Sequence, residues 1–268
     1  MNNSEPGRWP LWLSFPLAVL LAVASLGGMF LRSTYAAETR MQAALSIGNN
    51  WGNLVVIVPL LVITAILALR GSVAARLVWA GTLAYLVYDF LNYAFEIHFN
   101  SMFLAYCGVL GLSFYALAGT FAALPVVEVA RRYGPRAPVK TTSIVLLLMG
   151  VIIVLHWLSE IVPALLNGQA PQAVRDSGLV TESVAVLDLA FGAPACLIAA
   201  ILLLRLQPMG FVLAPIVLTF LALSSLVLAP MGMMMARRGF QSGHALCVIG
   251  LGIAAGNLVL LILFLREK

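Results

Sequence analysis

The chain has 268 residues, of which 62% are hydrophobic and only 9% charged, where soluble domains carry about a quarter charged residues. A mean hydropathy of +1.04 leaves no room for a soluble domain. At roughly 20 residues per crossing, it predicts one all-α, polytopic transmembrane bundle of about eight spans. The net charge of +5 comes from basic residues spread through short connections, where they mark topology and give no nucleic-acid surface.

In chain order, a short polar leader with Arg8 precedes the first span, 11–31. Its apolar run exceeds the 7–15 residues of a signal peptide, so it reads as a retained helix. Residues 32–52 are polar and partly amphipathic, and their Asn/Gly cluster SIGNNWGN is a loop signal. The second span is 53–70, the third 76–97 and the fourth 102–124, with a turn at 98–101. The most basic connection, with Arg131, Arg132, Arg136 and Lys140, leads to the fifth span, 142–165. A turn-rich loop, LNGQAPQAVRDSGLVTES, precedes the sixth, 184–206. The seventh is 209–233 and the eighth 243–265, the latter with Gly252 and Gly256 spaced as GxxxG. No internal repeat stands out. Ten of the fifteen basic residues, Arg136 and Lys268 among them, fall on the side of the termini. Both termini are therefore expected in the cytoplasm.

The third span carries the stretch YLVYDFLNYAFEIHFNSMFLAY. At 100° per residue, Tyr85, Asp89, Asn92 and Glu96 fall within an arc of roughly 60°. An acid inside a span costs about 2.5–3.5 kcal/mol on insertion scales, so it is expected to turn toward partners in the bundle. Alternating helix direction places Asp89, Asn92, Glu96, His98, Tyr106, His156, Glu160, Asp188 and His244 at the same end of the bundle. The expectation is one connected pocket lined by Asp89, Asn92, His156, Glu160 and Asp188, with Glu96, near the interface, and Tyr106, near the outer end of its span, as further binding candidates. His156 and Glu160 are four apart, hence on one face. With Asp188 they form a candidate metal set. The same spacing suits a hydrogen-bonded pair satisfied within the helix, and Asp188 also suits a helix cap. Tyr85, Tyr88, Tyr93 and Tyr106 are available as donors to the acids.

Other chemistry is sparse. Cys107, Cys196 and Cys247 all fall in spans and form no CxxC, so they read as small apolar fillers. Lys140 and Lys268 are the two lysines, and neither is placed mid-membrane to hold retinal as a Schiff base. Walker, GxSxG, HExxH and dinucleotide patterns are absent from the sequence.

The segments YDFLNYAFEIHFNSMFLAY, HWLSEIVPALLNGQAPQ and VLDLAFGAPACL resemble an uncharacterised family of bacterial multi-pass membrane proteins. The resemblance implies a compact helical bundle in the bacterial inner membrane and brings no reaction, ligand or cofactor. The alkaline-ceramidase-like membrane hydrolases are a second comparison. Their zinc site uses an HxxxH pair on the last helix, and here that helix has only His244. Three classes of function then stand. The leading one is a protein that binds and translocates a cation or small ligand. The others are an intramembrane enzyme acting on a lipid-like substrate, with His156, Glu160, Asp188 and Asp89 as metal ligands and general base, and a structural or sensory subunit. The bilayer is the one partner the composition itself names.

Overall fold

A computed structural model describes residues 8–134 and 137–266. Arg136 and Lys268, two of the expected topology markers, lie outside them. The described residues are helices joined by short turns, and seven of the helices are long and apolar enough to cross a membrane. They are α1 (Trp9–Phe30), α2 (Arg40–Leu69), α4 (Phe103–Ala123), α6 (Val139–Leu166), α8 (Ser183–Leu204), α9 (Pro208–Arg237) and α10 (Ser242–Phe264). Between α2 and α4 runs α3 (Val73–Phe95), whose 23 residues also suffice to cross. Its polar stripe lowers its hydropathy, and it packs in the centre of the bundle. Two short helices lie in connections: α5 (Val126–Tyr133), which buries Val129 and Tyr133, and α7 (Gln172–Ser177). The protein is an all-α bundle of seven to eight spans.

One expected boundary moves. The stretch read as a loop, through Asn49, Asn50, Gly52 and Asn53, is helical, so α2 begins at Arg40 and not near residue 53. The Thr39 side chain caps it by accepting the Gln42 amide. Asn and Gly are poor helix formers, but here tertiary contact decides. Asn49, Asn50 and Asn53 are buried, and each spends its side-chain amide on a partner from another part of the chain. At thirty residues α2 is roughly 45 Å long, more than the membrane core requires.

The backbone reveals a repeat. In α2 a π-helical turn spans Asn53–Ile57, closed by the Val58 amide donating to the Asn53 carbonyl. In α8 the same turn spans Asp188–Gly192, closed by Ala193 donating to Asp188. Pro59 and Pro194 each follow six residues after the residue that opens the turn. A proline has no amide and collides with the carbonyl four residues back. In both helices that carbonyl, on Val55 or Ala190, lies inside the π turn, where the wider ring absorbs the lost bond. Aligned on this feature, residues 53–70 and 188–205 share Leu54/Leu189, Pro59/Pro194, Ile63/Ile198, Ala65/Ala200, Ile66/Ile201, Leu67/Leu202, Leu69/Leu204 and Arg70/Arg205.

The turns that follow also match. Arg70 (φ −83°, ψ 4°) is followed by Gly71 at φ +95° and extended Ser72. Arg205 (φ −79°, ψ 4°) is followed by Leu206 at φ +53° and extended Gln207. The described residues thus form two four-helix halves, α1–α4 and α6 with α8–α10, running in the same direction, of the parallel-repeat kind.

Packing follows the same division. One hydrophobic core gathers Leu17, Leu21, Leu61, Trp79 and Tyr106 from the first half. A second gathers Leu146, Cys196, Leu203, Val212 and Leu261 from the other half. The central helices α3 and α9 contribute to both. They meet so closely that a Cβ on Gly81 would lie 2.4 Å from the Thr219 Cβ. The N-terminal part of α2 packs on the end of α9, and the start of α8 packs on α3, as a pseudo-two-fold exchange requires. The match is looser outside, where α1 packs on α4 but α6 packs chiefly on α8.

Candidate functional site

The residues that open the two π turns, Asn53 and Asp188, both point their side chains at groups from α3. Asp89 is buried, and its two oxygens accept from two amides of α2: Oδ1 from Asn49 Nδ2 at 2.6 Å and Oδ2 from Asn53 Nδ2 at 2.8 Å. Asn49 and Asn53 are four apart, as are Tyr85, Asp89 and Tyr93, so two helix faces meet along one line. The Tyr85 hydroxyl has the Asn53 Oδ1 at 2.9 Å and the Asn49 Oδ1 at 3.3 Å as acceptors. The Tyr93 hydroxyl has the Ser46 carbonyl at 3.1 Å and the Asn50 Oδ1 at 3.3 Å. It also receives the Asn49 amide at 3.3 Å. Asn50 Nδ2 donates to the Tyr35 hydroxyl at 2.6 Å. Tyr35 belongs to the α1–α2 connection. Both groups that donate to Asp89 are neutral.

Asp188 forms the second polar site. Its Oδ1 accepts from Tyr88 at 3.0 Å and its Oδ2 from Trp157 Nε1 at 2.8 Å. These donors too are neutral. Tyr88 sits beside Asp89 in sequence but on the other side of the stripe. The polar arc of α3 is therefore shared: Tyr85, Asp89 and Tyr93 serve α2, and Tyr88 serves α8. Asn92 donates only to the Tyr88 carbonyl, at 3.3 Å, and its own carbonyl oxygen is buried with no hydrogen-bond partner. Glu96, just past the helix, accepts from the Ser183 hydroxyl at the start of α8.

The single pocket expected from the sequence is thus replaced by two sites. Asp89 and Asp188 each have their own set of donors. His156 and Glu160 stand 3.8 Å apart on the outward face of α6, 56% and 40% exposed at their side chains. From that turn it is the buried Trp157 that reaches Asp188. Accordingly His156, Glu160 and Asp188 do not converge on a metal, and among the described residues no three His, Cys, Asp or Glu side chains do. Tyr106 is buried, with its ring 5.2 Å from that of Tyr93. The three cysteines are free thiols.

Sequence reasoning missed Asn49, Asn53, Trp157, Ser183 and Glu38. Two signals were available. Asn49 and Asn53 have the spacing of a helix face, and Asn53–Pro59–Arg70 repeats as Asp188–Pro194–Arg205. Glu38, in the α1–α2 connection, has a side chain only 2% exposed. It accepts from the His98 backbone amide at 2.8 Å and lies 3.0 Å from the His98 Nδ1.

Two of the acidic groups outside the spans at this end are raised by burial. Burial pushes the Glu182 carboxyl up to about 7, and the charges of Glu96 and Glu160 add to the rise. Glu182 lines a shallow, mostly apolar cleft of about 250 Å³ between the end of α6, α7 and the start of α8. Burial also raises Glu96, against the hydrogen bonds from Ser183.

No family model, curated protein or solved structure matches the chain.

Proposed function

We propose that this chain is a bacterial inner-membrane protein that binds and translocates a small cation or cationic ligand, with Asp89 and Asp188 as its binding carboxylates. The observation that carries the reading is the pairing of helix breaks. Each half has one π-interrupted, proline-bearing helix, the break opens on a polar side chain, and that side chain faces α3. Interrupted helices at corresponding positions of two halves are the architecture by which secondary transporters build their substrate sites. The electrostatics point the same way. A carboxylate removed from water and held only by neutral donors has no counter-charge of its own. A bound cation supplies one, and its release removes it.

The test is flux. The purified protein is reconstituted into liposomes, and cation-driven uptake or a change in internal pH is followed under an imposed gradient. Asp89→Asn and Asp188→Asn are each expected to abolish flux, and Glu160→Gln, on the outward face, to leave it unchanged. Liposomes that show equal flux with and without protein, for protons, sodium and potassium alike, would overturn the reading.

A further inference from the structure

We propose that the species Asp89 exchanges is a proton, and that water delivers it from the Glu38–His98 end of the bundle by opening the Tyr35–Asn50–Tyr93–Asn49 file. The inference rests on the cation-binding reading above and narrows it to one ion and one direction of access.

The first argument is space. Both Asp89 oxygens are in contact with amide nitrogens, at 2.6 and 2.8 Å. A metal ion would have to displace those amides or turn them over to present oxygen. A proton needs no room. The second argument is an imbalance of donors. Tyr85 has one hydroxyl proton and two amide oxygens to serve, those of Asn49 and Asn53. A proton on Asp89 adds the missing donor within the same cluster. Tyr93 repeats the arrangement one turn on, with one hydroxyl proton and two acceptors. Hydroxyls that choose between two acceptors reorient without breaking the packing around them.

The third argument is continuity. Tyr35, Asn50, Tyr93 and Asn49 are all buried and joined by hydrogen bonds of 2.6–3.3 Å. The file starts at the α1–α2 connection, which also carries Glu38, and Glu38 is held by the exposed His98. Gly28 makes the passage of the file beside α1 sterically feasible. A Cβ there would lie 2.1 Å from Asn50 Nδ2 and 2.6 Å from the Tyr35 hydroxyl. The titratable groups around Asp89 are Tyr85, Tyr88, Tyr93 and Glu96, all from α3 or its end. From α2 it faces only Asn49 and Asn53. The step is one proton from a hydronium ion onto the Asp89 carboxylate, giving the neutral acid and one water that leaves by the same path; the amides of Asn49 and Asn50 relay no proton and turn aside with the Tyr93 hydroxyl to admit the water, then return.

Infrared difference spectroscopy of the full-length protein in lipid nanodiscs tests this without any transport assay. Acid-minus-alkaline spectra are expected to show a protonated-carboxyl band that shifts on aspartate carboxyl-13C labelling and disappears in Asp89→Asn. The labelling identifies an aspartate even if that variant fails to fold, and Asp188→Asn is expected to retain the band. Tyr93→Phe is expected to keep the band but slow its exchange into D2O by about fivefold to tenfold, the factor carried by one hydrogen-bonded hydroxyl. Absence of an aspartate band, or a band that survives in Asp89→Asn, overturns the proton. A band displaced by sodium or potassium at constant pH assigns the site to a metal ion instead. Exchange at the wild-type rate in Tyr93→Phe overturns the route. A band that behaves as expected in a protein without flux would remove translocation and leave the proton site standing.

Discussion

Asp89 depends on two amides for its burial, and the two are separable by mutation. Asn49→Ala or Asn53→Ala leaves one carboxylate oxygen without its donor, which costs about 1–3 kcal/mol. Either change is expected to lower the thermal unfolding midpoint in detergent. Glu160→Ala, on the outward face of α6, is expected to stay within about 0.5 kcal/mol of wild type. Glu182 gives a pH dependence with a definite sign. Its carboxyl titrates at about 7 in the fold against 4.5 when unperturbed. Between those values the folded state holds a proton that the unfolded state has lost, so stability falls as pH rises from about 4.5 to about 7 and is level above. Hydrogen exchange of residues 178–187 across that window reads the slope. Glu182→Gln is expected to flatten it.

At the scale of the element, the hydrophobic runs made the helices legible and hid where one of them starts. Asn49, Asn50 and Gly52 carry a loop signature because their local propensity is poor, and contacts from elsewhere hold them helical: Asp89 for Asn49, Tyr35 for Asn50 and the close approach of Val227 for Gly52. The polar arc of α3 was legible from its periodicity, but its division between α2 and α8 was not, since a wheel shows direction and not neighbours. For the same reason His156 and Glu160 seemed to belong with Asp188. They share its depth, but their side chains are exposed on the outward face while Trp157 between them turns inward.

The two matched turns supply a backbone test at this scale. Leu206 occupies a left-handed conformation at φ +53° where the other half has glycine, at a cost of about 1–2 kcal/mol. Leu206→Gly is expected to be neutral or stabilising, and Gly71→Ala to cost about 1 kcal/mol or more. The two unfolding midpoints, compared in one detergent, check both. Gly81→Val, in turn, drives a branched side chain into Thr219 and is expected to cost about 1–3 kcal/mol.

For the whole molecule, the axis between α3 and α9 organises both packing and polarity. Each half contributes one broken helix, each core draws on both central helices, and the acids of the described residues other than Glu128 gather at one end. Arg8, Arg70, Arg131, Arg205 and Arg266 lie toward the other end, where Arg8 donates to the Leu69 carbonyl at the close of α2. Four helices in each half have a topological consequence. A unit that returns to its starting face can be copied and joined head to tail without inverting, because the second copy inserts as the first did. Two such units meet here across the α3–α9 contact and need no inversion to share one chain. The two units are not equivalent: one has asparagine at its break and the other aspartate, and α3 carries an acid where α9 has none. The contact should still hold without the covalent join. Residues 1–134 and 137–268, expressed together as separate chains, are expected to co-purify through a tag on either one, and Gly81→Val is expected to part them.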